Sequence, residues 1–242
     1  MRTAMKVVMD KVLHPLGLNV ERFFGKDLPL KNLVKLAKEH QVDLLLDVGA
    51  NTGQFAEKMI NSGFKGQVIS FEPLSSAYPV LQKNATRFPN WKVAPRAAVG
   101  DMDGNISINI SENNHSSSIL KVNEVHVNAA PSAGIIGTEE VPIHQLDSVS
   151  GSFGSAQAIL LKIDTQGFEK NVLNGARRLI AEKVKIIQLE ISLLPLYDGA
   201  PVFEEMISLL NDLGFRPLFY TPGYIDRTSE QIQQIEGYFV RK

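Results

Sequence analysis

The amino-acid sequence predicts an α/β fold: a mostly parallel sheet of about seven strands with helices on both faces. Three observations carry that prediction. The apolar run "LLLDV" (44–48) breaks into the glycine turn "GANTG" (49–53) before helical periodicity resumes at Phe55. A strand that enters a glycine turn and then a helix presents backbone N–H groups to a ligand. Strand-like and helix-like segments then alternate along the chain, the signature of a parallel sheet. Near the end, "FRPLFYT" (215–221) and "EGYFVR" (236–241) read as a closing antiparallel pair.

Taken in order, residues 5–16 are amphipathic, with Met5, Val8, Met9, Val12, Leu13 and Leu16 at helical spacing and Arg2, Lys6, Asp10 and Lys11 elsewhere on the wheel. Such a helix packs on the protein body or makes peripheral contact with a membrane, and its ordinary moment favours packing. A second helix is expected over 29–40, with Leu30, Leu33, Val34 and Ala37 inward. Residues 1–40 thus read as a helical extension ahead of a domain spanning 41–242. Within that domain, Phe55, Ala56, Met59 and Ile60 mark a helix ending at Gly63, a favourable residue just past a helix. Strand "QVISFE" (67–72), a helix ending near Arg87 and strand "WKVAPRAAV" (91–99) follow.

The middle changes character. "DMDG" (101–104) is a turn, while "NISINIS" (105–111) and "VPIHQL" (141–146) alternate with period two, so 100–157 reads as a β-rich insertion with a loop at 112–118. Then "AILLKID" (158–164) is a buried strand, and Glu169 opens a helix that runs through Ile180, with Arg177 and Arg178 toward its C-terminal end. "KIIQLEIS" (185–192) is the next strand. Pro201 precedes a helix burying Phe203, Met206, Ile207 and Leu210, and Gly214 ends it.

Composition narrows the function. The chain has 242 residues, 25 Lys+Arg against 26 Asp+Glu, a net charge of −1 and a pI near 6.5. No global basic field exists to attract nucleic acid, so none is expected as a partner. Zero cysteines exclude disulfides and thiolate metal sites and fit a reducing compartment, making the cytoplasm the expected location. No apolar run approaches the roughly 20 residues of a membrane-spanning helix.

Ligands in open α/β sheets bind outside the carboxyl ends of the strands. At the first strand these positions are Asp47, Gly49, Asn51 and Gly53. Their spacing lacks both the G-x-G-x-x-G of dinucleotide sites and the G-K-[ST] of phosphate loops. It suits a ligand with an amino-acid end, where Asp47 engages an ammonium and the turn N–H groups a polar tail. Glu72, at the end of the second strand, is placed to accept two hydrogen bonds from a ribose diol. Together they predict an adenosine-type cofactor.

The motifs "DVGANTGQF", "SFEP", "AAVGDMDG", "SSSIL", "QLDSV", "LLKIDTQGFE" and "QLEIS" occur in order over residues 43–192. In that order and spacing the sequence resembles the FkbM-type methyltransferase family. The resemblance implies a class I (Rossmann-like) methyltransferase fold, S-adenosylmethionine as cofactor, and methyl transfer to a hydroxyl on a sugar, glycan or secondary-metabolite intermediate. It matches Asp47, Gly49, Asn51 and Gly53 to the family's cofactor loop and Glu72, followed by Pro73, to its ribose-binding acid. Two positions depart from the family pattern: Gln166 replaces the usual glutamate of "IDxEG", and Arg96 stands where asparagine is common.

Asp164 ends the strand expected beside the first, so its carboxylate faces the crevice as a candidate general base, acceptor-orienting group or brace for "TQGFE". His115, in the polar loop, is the best-placed histidine for proton transfer near neutral pH. Ser117, with Ser116 and Ser118, together with Gln166 and Glu190, are the candidate acceptor contacts. His144 reads as a strand-surface residue and Glu169 as a favourable charge in a helix's first turn. Asp164 and Glu190 form at most half of an oxygen-ligand site, so no metal is expected. The acceptor would sit under 112–120 and against 164–168. Two rival readings are an NAD-dependent oxidoreductase, disfavoured by the glycine spacing, and a non-catalytic binding or scaffold protein of the same fold.

Overall fold

Two five-residue runs, apolar except for one charged residue each, become the centre of the sheet, because only a strand covered on both faces buries every side chain. Strand β1 (Leu44–Val48) and strand β7 (Ile159–Ile163) are buried at every position. The computed structural model describes residues 28–111, 117–120, 123, 134–226 and 229–242. The amphipathic segment 5–16, His115 and Ser116 lie outside the described residues.

The remaining strands are β2 (Gln67–Phe71), β3 (Trp91–Val93), β4 (Ala98–Val99), β5 (Gly104–Ser111), β6 (Ile135–His144), β8 (Val184–Ser192), β9 (Phe215–Pro222) and β10 (Gln234–Arg241). Seven of them form one sheet in the order β3-β2-β1-β7-β8-β10-β9, and β4-β6-β5 form a second, smaller sheet. In the large sheet β10 pairs antiparallel with both β8 and β9, while β3, β2, β1, β7 and β8 run parallel.

Alternating side chains of the sheet feed two cores. Leu44, Leu46, Val48, Ile159, Leu161 and Ile163 point to one face, where they meet α5 (Glu169–Asn174), α6 (Arg177–Glu182) and α7 (Phe203–Asp212). Leu45, Val68, Leu160 and Ile186 point to the other, against α1 (Leu28–Glu39) and α2 (Gln54–Asn61). The described residues also include α3 (Tyr78–Ala85) and the single turn α4 (Leu146–Val149). Each fully buried leucine contributes about 1.5–3 kcal/mol to this arrangement.

Three expectations are corrected. "WKVAPRAAV" is two strands in different sheets, because Pro95 has no N–H to donate to a ladder. The expected short strand "VPIHQL" is the end of the longer β6, which pairs with β5 from Gly104 to Ser111. The helix expected from Glu169 to Ile180 is broken at Gly175, where a Cβ would stand 1.8 Å from the Gly100 carbonyl oxygen. Arg177 and Arg178 therefore open α6 instead of closing a longer helix, and the Asp147 carboxylate accepts the N–H groups of Arg178 and Leu179 at 2.9 and 2.8 Å. An anion at a helix N-terminus is the favourable placement.

The chain runs outward from β1 through β2 to β3, then returns to place β7 on the other side of β1. That reversal opens a crevice at the carboxyl ends of β1 and β7. The smaller sheet lies beside it.

Candidate active site

A cavity of about 360 Å³ occupies the crevice. One wall is Gly49, Asn51, Glu72 and Pro73; the opposite wall is Asp164, Gln166 and Glu190; Ile108 and Ser117 of the insertion close a third side. Among the described lining residues there are three carboxylates and no lysine or arginine.

Backbone conformation shapes the first wall. Gly49 has φ +72°, and a Cβ there would lie 1.8 Å from the Asp164 carbonyl oxygen, so only glycine fits between β1 and β7. Gly53 has φ +92° and packs against the Trp91 ring, outside the cavity lining. Asn51 also has a positive φ of 50°, which asparagine tolerates. Its N–H donates to Glu72 Oε2 at 2.7 Å, and Leu74 N–H donates to Glu72 Oε1 at 2.9 Å. Burial pushes the Glu72 carboxyl up to about 7. Each oxygen has a further lone pair beyond the one these bonds use, and the residue lines the cavity. Behind Pro73, the Arg96 guanidinium donates to its carbonyl oxygen at 2.9 Å and pairs with Glu139, so this departure from the family pattern braces the edge of the wall.

Asp47 stands elsewhere than expected. It is fully buried beneath the turn and absent from the cavity lining, with its carboxylate 3.1 Å from Lys162 Nζ and 3.3 Å from Ser70 Oγ. The ammonium it meets is the chain's own. Lys162 also donates to the carbonyl oxygen of Gly49 at 2.9 Å and lies 3.7 Å from Asp164 Oδ2. Burial acts against its charge, but Asp47 and Asp164 outweigh it and hold the ammonium above its ordinary range. The sequence reading missed Lys162; a lysine inside the apolar strand "AILLKID" was the signal, since lysine is almost never buried unpaired.

On the opposite wall, Asp164 has 39% of its side chain exposed. Gln166 donates through Nε2 to Asp164 Oδ1 at 2.7 Å and to Glu190 Oε2 at 3.1 Å, while Tyr197 OH donates to Gln166 Oε1 at 2.7 Å. Gln234 donates to Glu190 Oε2 at 2.6 Å. Burial first, then the neighbouring carboxylates of Asp164, Glu236 and Glu169, raise Glu190 well above the usual range. Tyr224 and Gln234 also line the cavity and were missed by the sequence reading, having no motif to mark them.

Glu169 is more than a helix charge. Its buried carboxylate accepts the N–H groups of Thr165 and Gly167 at 2.9 and 3.2 Å, so the bracing once considered for Asp164 belongs to Glu169. Ser118 Oγ donates to the Gln166 carbonyl oxygen at 2.6 Å, tying the insertion to the same loop. Ser117 lines the cavity while its Oγ accepts the Ser111 N–H at 3.0 Å. His144 is on the outer surface, 3.5 Å from Asp103. Among the described residues no three acidic or histidine side chains are grouped to hold a metal, and no helix is long and apolar enough to cross a membrane.

A cavity walled by carboxylates, with Glu72 placed for a diol, fits a cationic sulfonium carrying a ribose. Comparisons with known proteins agree. The methyltransferase FkbM domain matches residues 47–217. The 2-O-methyltransferase NoeI of Sinorhizobium fredii (strain NBRC 101917 / NGR234) is 24% identical over 173 residues, covering 69% of this chain and 70% of that protein. The ribosomal RNA small subunit methyltransferase A of Thermotoga maritima is 31% identical over 68 residues, only 28% of this chain and 24% of that protein. A solved S-adenosylmethionine-dependent methyltransferase fold from Listeria monocytogenes superposes with a TM-score of 0.50 at 8% identity, over 90% of this chain and 100% of that one. The chain belongs to the FkbM methyltransferase family, and S-adenosylmethionine is its methyl donor.

Proposed function

We propose that the protein methylates a hydroxyl oxygen of a sugar, glycan or similar polyol, with Asp164 receiving the hydroxyl proton. The observation that carries this reading is the half-open Asp164 carboxylate at the carboxyl end of β7, facing the cavity with Gln166 and Glu190 beside it. The relative NoeI is named as a 2-O-methyltransferase, which supports oxygen as the accepting atom. The carboxylate-rich lining supports a neutral acceptor over nucleic acid.

Bound S-adenosylmethionine supplies a methyl group already activated on a sulfonium. The chain's own residues then bind, align and deprotonate. Glu72 accepts the ribose hydroxyls, and the turn at 49–53 leaves room for the amino-acid tail. Asp47 acts from below, through Lys162, by fixing the turn's carbonyl groups. Ser117 and Glu190 would contact the acceptor and orient its oxygen, with Gln166 acting through the two carboxyls its amide bridges. Alignment of this kind is worth roughly 7–11 kcal/mol. The acceptor's hydroxyl proton would pass to Asp164. His115, known from the sequence alone, is the second candidate for that proton.

Calorimetric titration with S-adenosylmethionine, S-adenosylhomocysteine and NADH comes first, then a screen of sugar acceptors for methylated product. Asp164→Asn should keep cofactor affinity within a few-fold and lower kcat by about 10²–10⁴. An unchanged kcat would remove Asp164 from the proton's path. Tight NADH binding with none of the other two would revive the oxidoreductase reading.

A further inference from the structure

The Gln166 side chain touches both carboxyls of the acceptor wall. Its amide nitrogen reaches Asp164 Oδ1 and Glu190 Oε2, and its amide oxygen is pinned by the buried Tyr197 hydroxyl. The backbone is held as firmly: Gln166 has φ +54°, its carbonyl oxygen accepts from Ser118, and the following N–H of Gly167 is taken by Glu169. An amide has two N–H groups, so it satisfies two acceptors at once and adds no charge.

We propose that Gln166 is a positioning residue for methyl transfer: its side-chain amide bridges Asp164 and Glu190 and so fixes the orientation of the Asp164 carboxylate toward the acceptor hydroxyl. The proposal rests on the O-methyltransferase reading for the hydroxyl, and on this geometry for the bridge. Without the amide, the half-open Asp164 carboxylate and the buried Glu190 carboxyl would lose the donor that links them. The charged and titratable groups facing this point are Lys162 from β7, Asp47 from β1, Glu169 from α5, Glu236 from β10, and Tyr197 after β8. Lys162 offsets Asp47 and Asp164, whereas Glu190 accepts from two neutral amides, those of Gln166 and Gln234. Glu190 is also raised well above the usual carboxylate range, so a neutral bridging partner keeps like charges from accumulating there.

The isosteric variant Gln166→Glu isolates the bridge from the shape. Protonated, the introduced carboxyl still donates one hydrogen bond; ionised, it donates none and adds a negative charge beside Asp164 and Glu190. A folded-state pKa raised by burial and like charge costs stability as pH rises from the unfolded value to the folded one. The thermal midpoint of Gln166→Glu should therefore lie close to that of the unaltered protein near pH 5 and fall progressively below it toward pH 8. The double exchange Gln166→Glu with Glu190→Gln removes the acid at position 190 but leaves one against Asp164 Oδ1, so it should close only part of the pH 8 gap.

In the sugar-acceptor assay, Gln166→Glu should lose at least tenfold in kcat at pH 8, recover toward pH 6, and keep its KM for S-adenosylmethionine. A midpoint gap that is independent of pH, or that the double exchange closes completely, would overturn the bridge. A normal kcat at pH 8 would overturn the positioning role. If the unaltered protein methylates no hydroxyl, the O-methyltransferase reading falls, while the midpoint arm still decides the bridge.

Discussion

Lys162 is the residue on which both sides of the cavity lean. Its ammonium touches a carboxylate beneath the glycine turn, a carbonyl of the turn itself and the carboxylate of the opposite wall. A buried pair is weak evidence of net stabilisation, because desolvating two charges offsets their attraction. Removing one partner is another matter, since it leaves a buried charge alone. Lys162→Met should cost about 3–5 kcal/mol in urea denaturation. Adding Asp47→Asn should return part of that loss. If the single variant is as stable as the unaltered protein, the ion pair is not a significant brace. Sequence alone showed the lysine but not its role, because its buried partner is assembled by strand pairing: Asp47 comes from β1, opposite Lys162 in parallel register.

At the scale of elements, the break between α5 and α6 shows how a close contact overrides a helical pattern. The apolar spacing from Val172 to Ile180 continues through Gly175, yet the Gly100 carbonyl occupies the space a side chain would need. Gly175→Ala should therefore lower stability by roughly 1–3 kcal/mol or more, read as a drop in thermal midpoint, whereas helix propensity alone would raise it. An increase would mean the contact yields cheaply. The same logic separates what was legible from what was not. The largely apolar "LLLDV" and "AILLKID", the glycine turn and the acids Glu72, Asp164 and Glu190 were legible because strand ends in an α/β sheet have a fixed meaning. The second sheet was only partly so: its alternating runs were visible, but Pro95 was read through, and β6 was shortened to its final residues. Glu169 and Arg96 revealed their work only in three dimensions, because each serves a backbone group that local pattern does not specify.

Across the whole molecule, burial has raised several carboxyls together. Glu72, Glu169 and Glu236 are each pushed up to about 7 from an ordinary 4.5. In the unfolded chain they lose their protons near 4.5, in the folded one only near 7, so the unfolded state gains relative stability across that interval. Unfolding free energy should therefore decline from about pH 5 to pH 7, by at most on the order of 3 kcal/mol for any one group, and level off above. Urea denaturation at half-unit steps measures it; a rise through that window would mean these acids are charged in the fold. The order of the large sheet carries one more consequence, for synthesis. Strand β10 is nearly last in the chain yet lies between β8 and β9, and it delivers Gln234 to the cavity. On the ribosome, β8 and β9 must wait apart, with the edge of β8 open, until residue 241 has emerged. A nascent chain stalled before that point holds a split sheet and an incomplete acceptor wall, so the catalytic pocket closes only after the last strand threads into its slot.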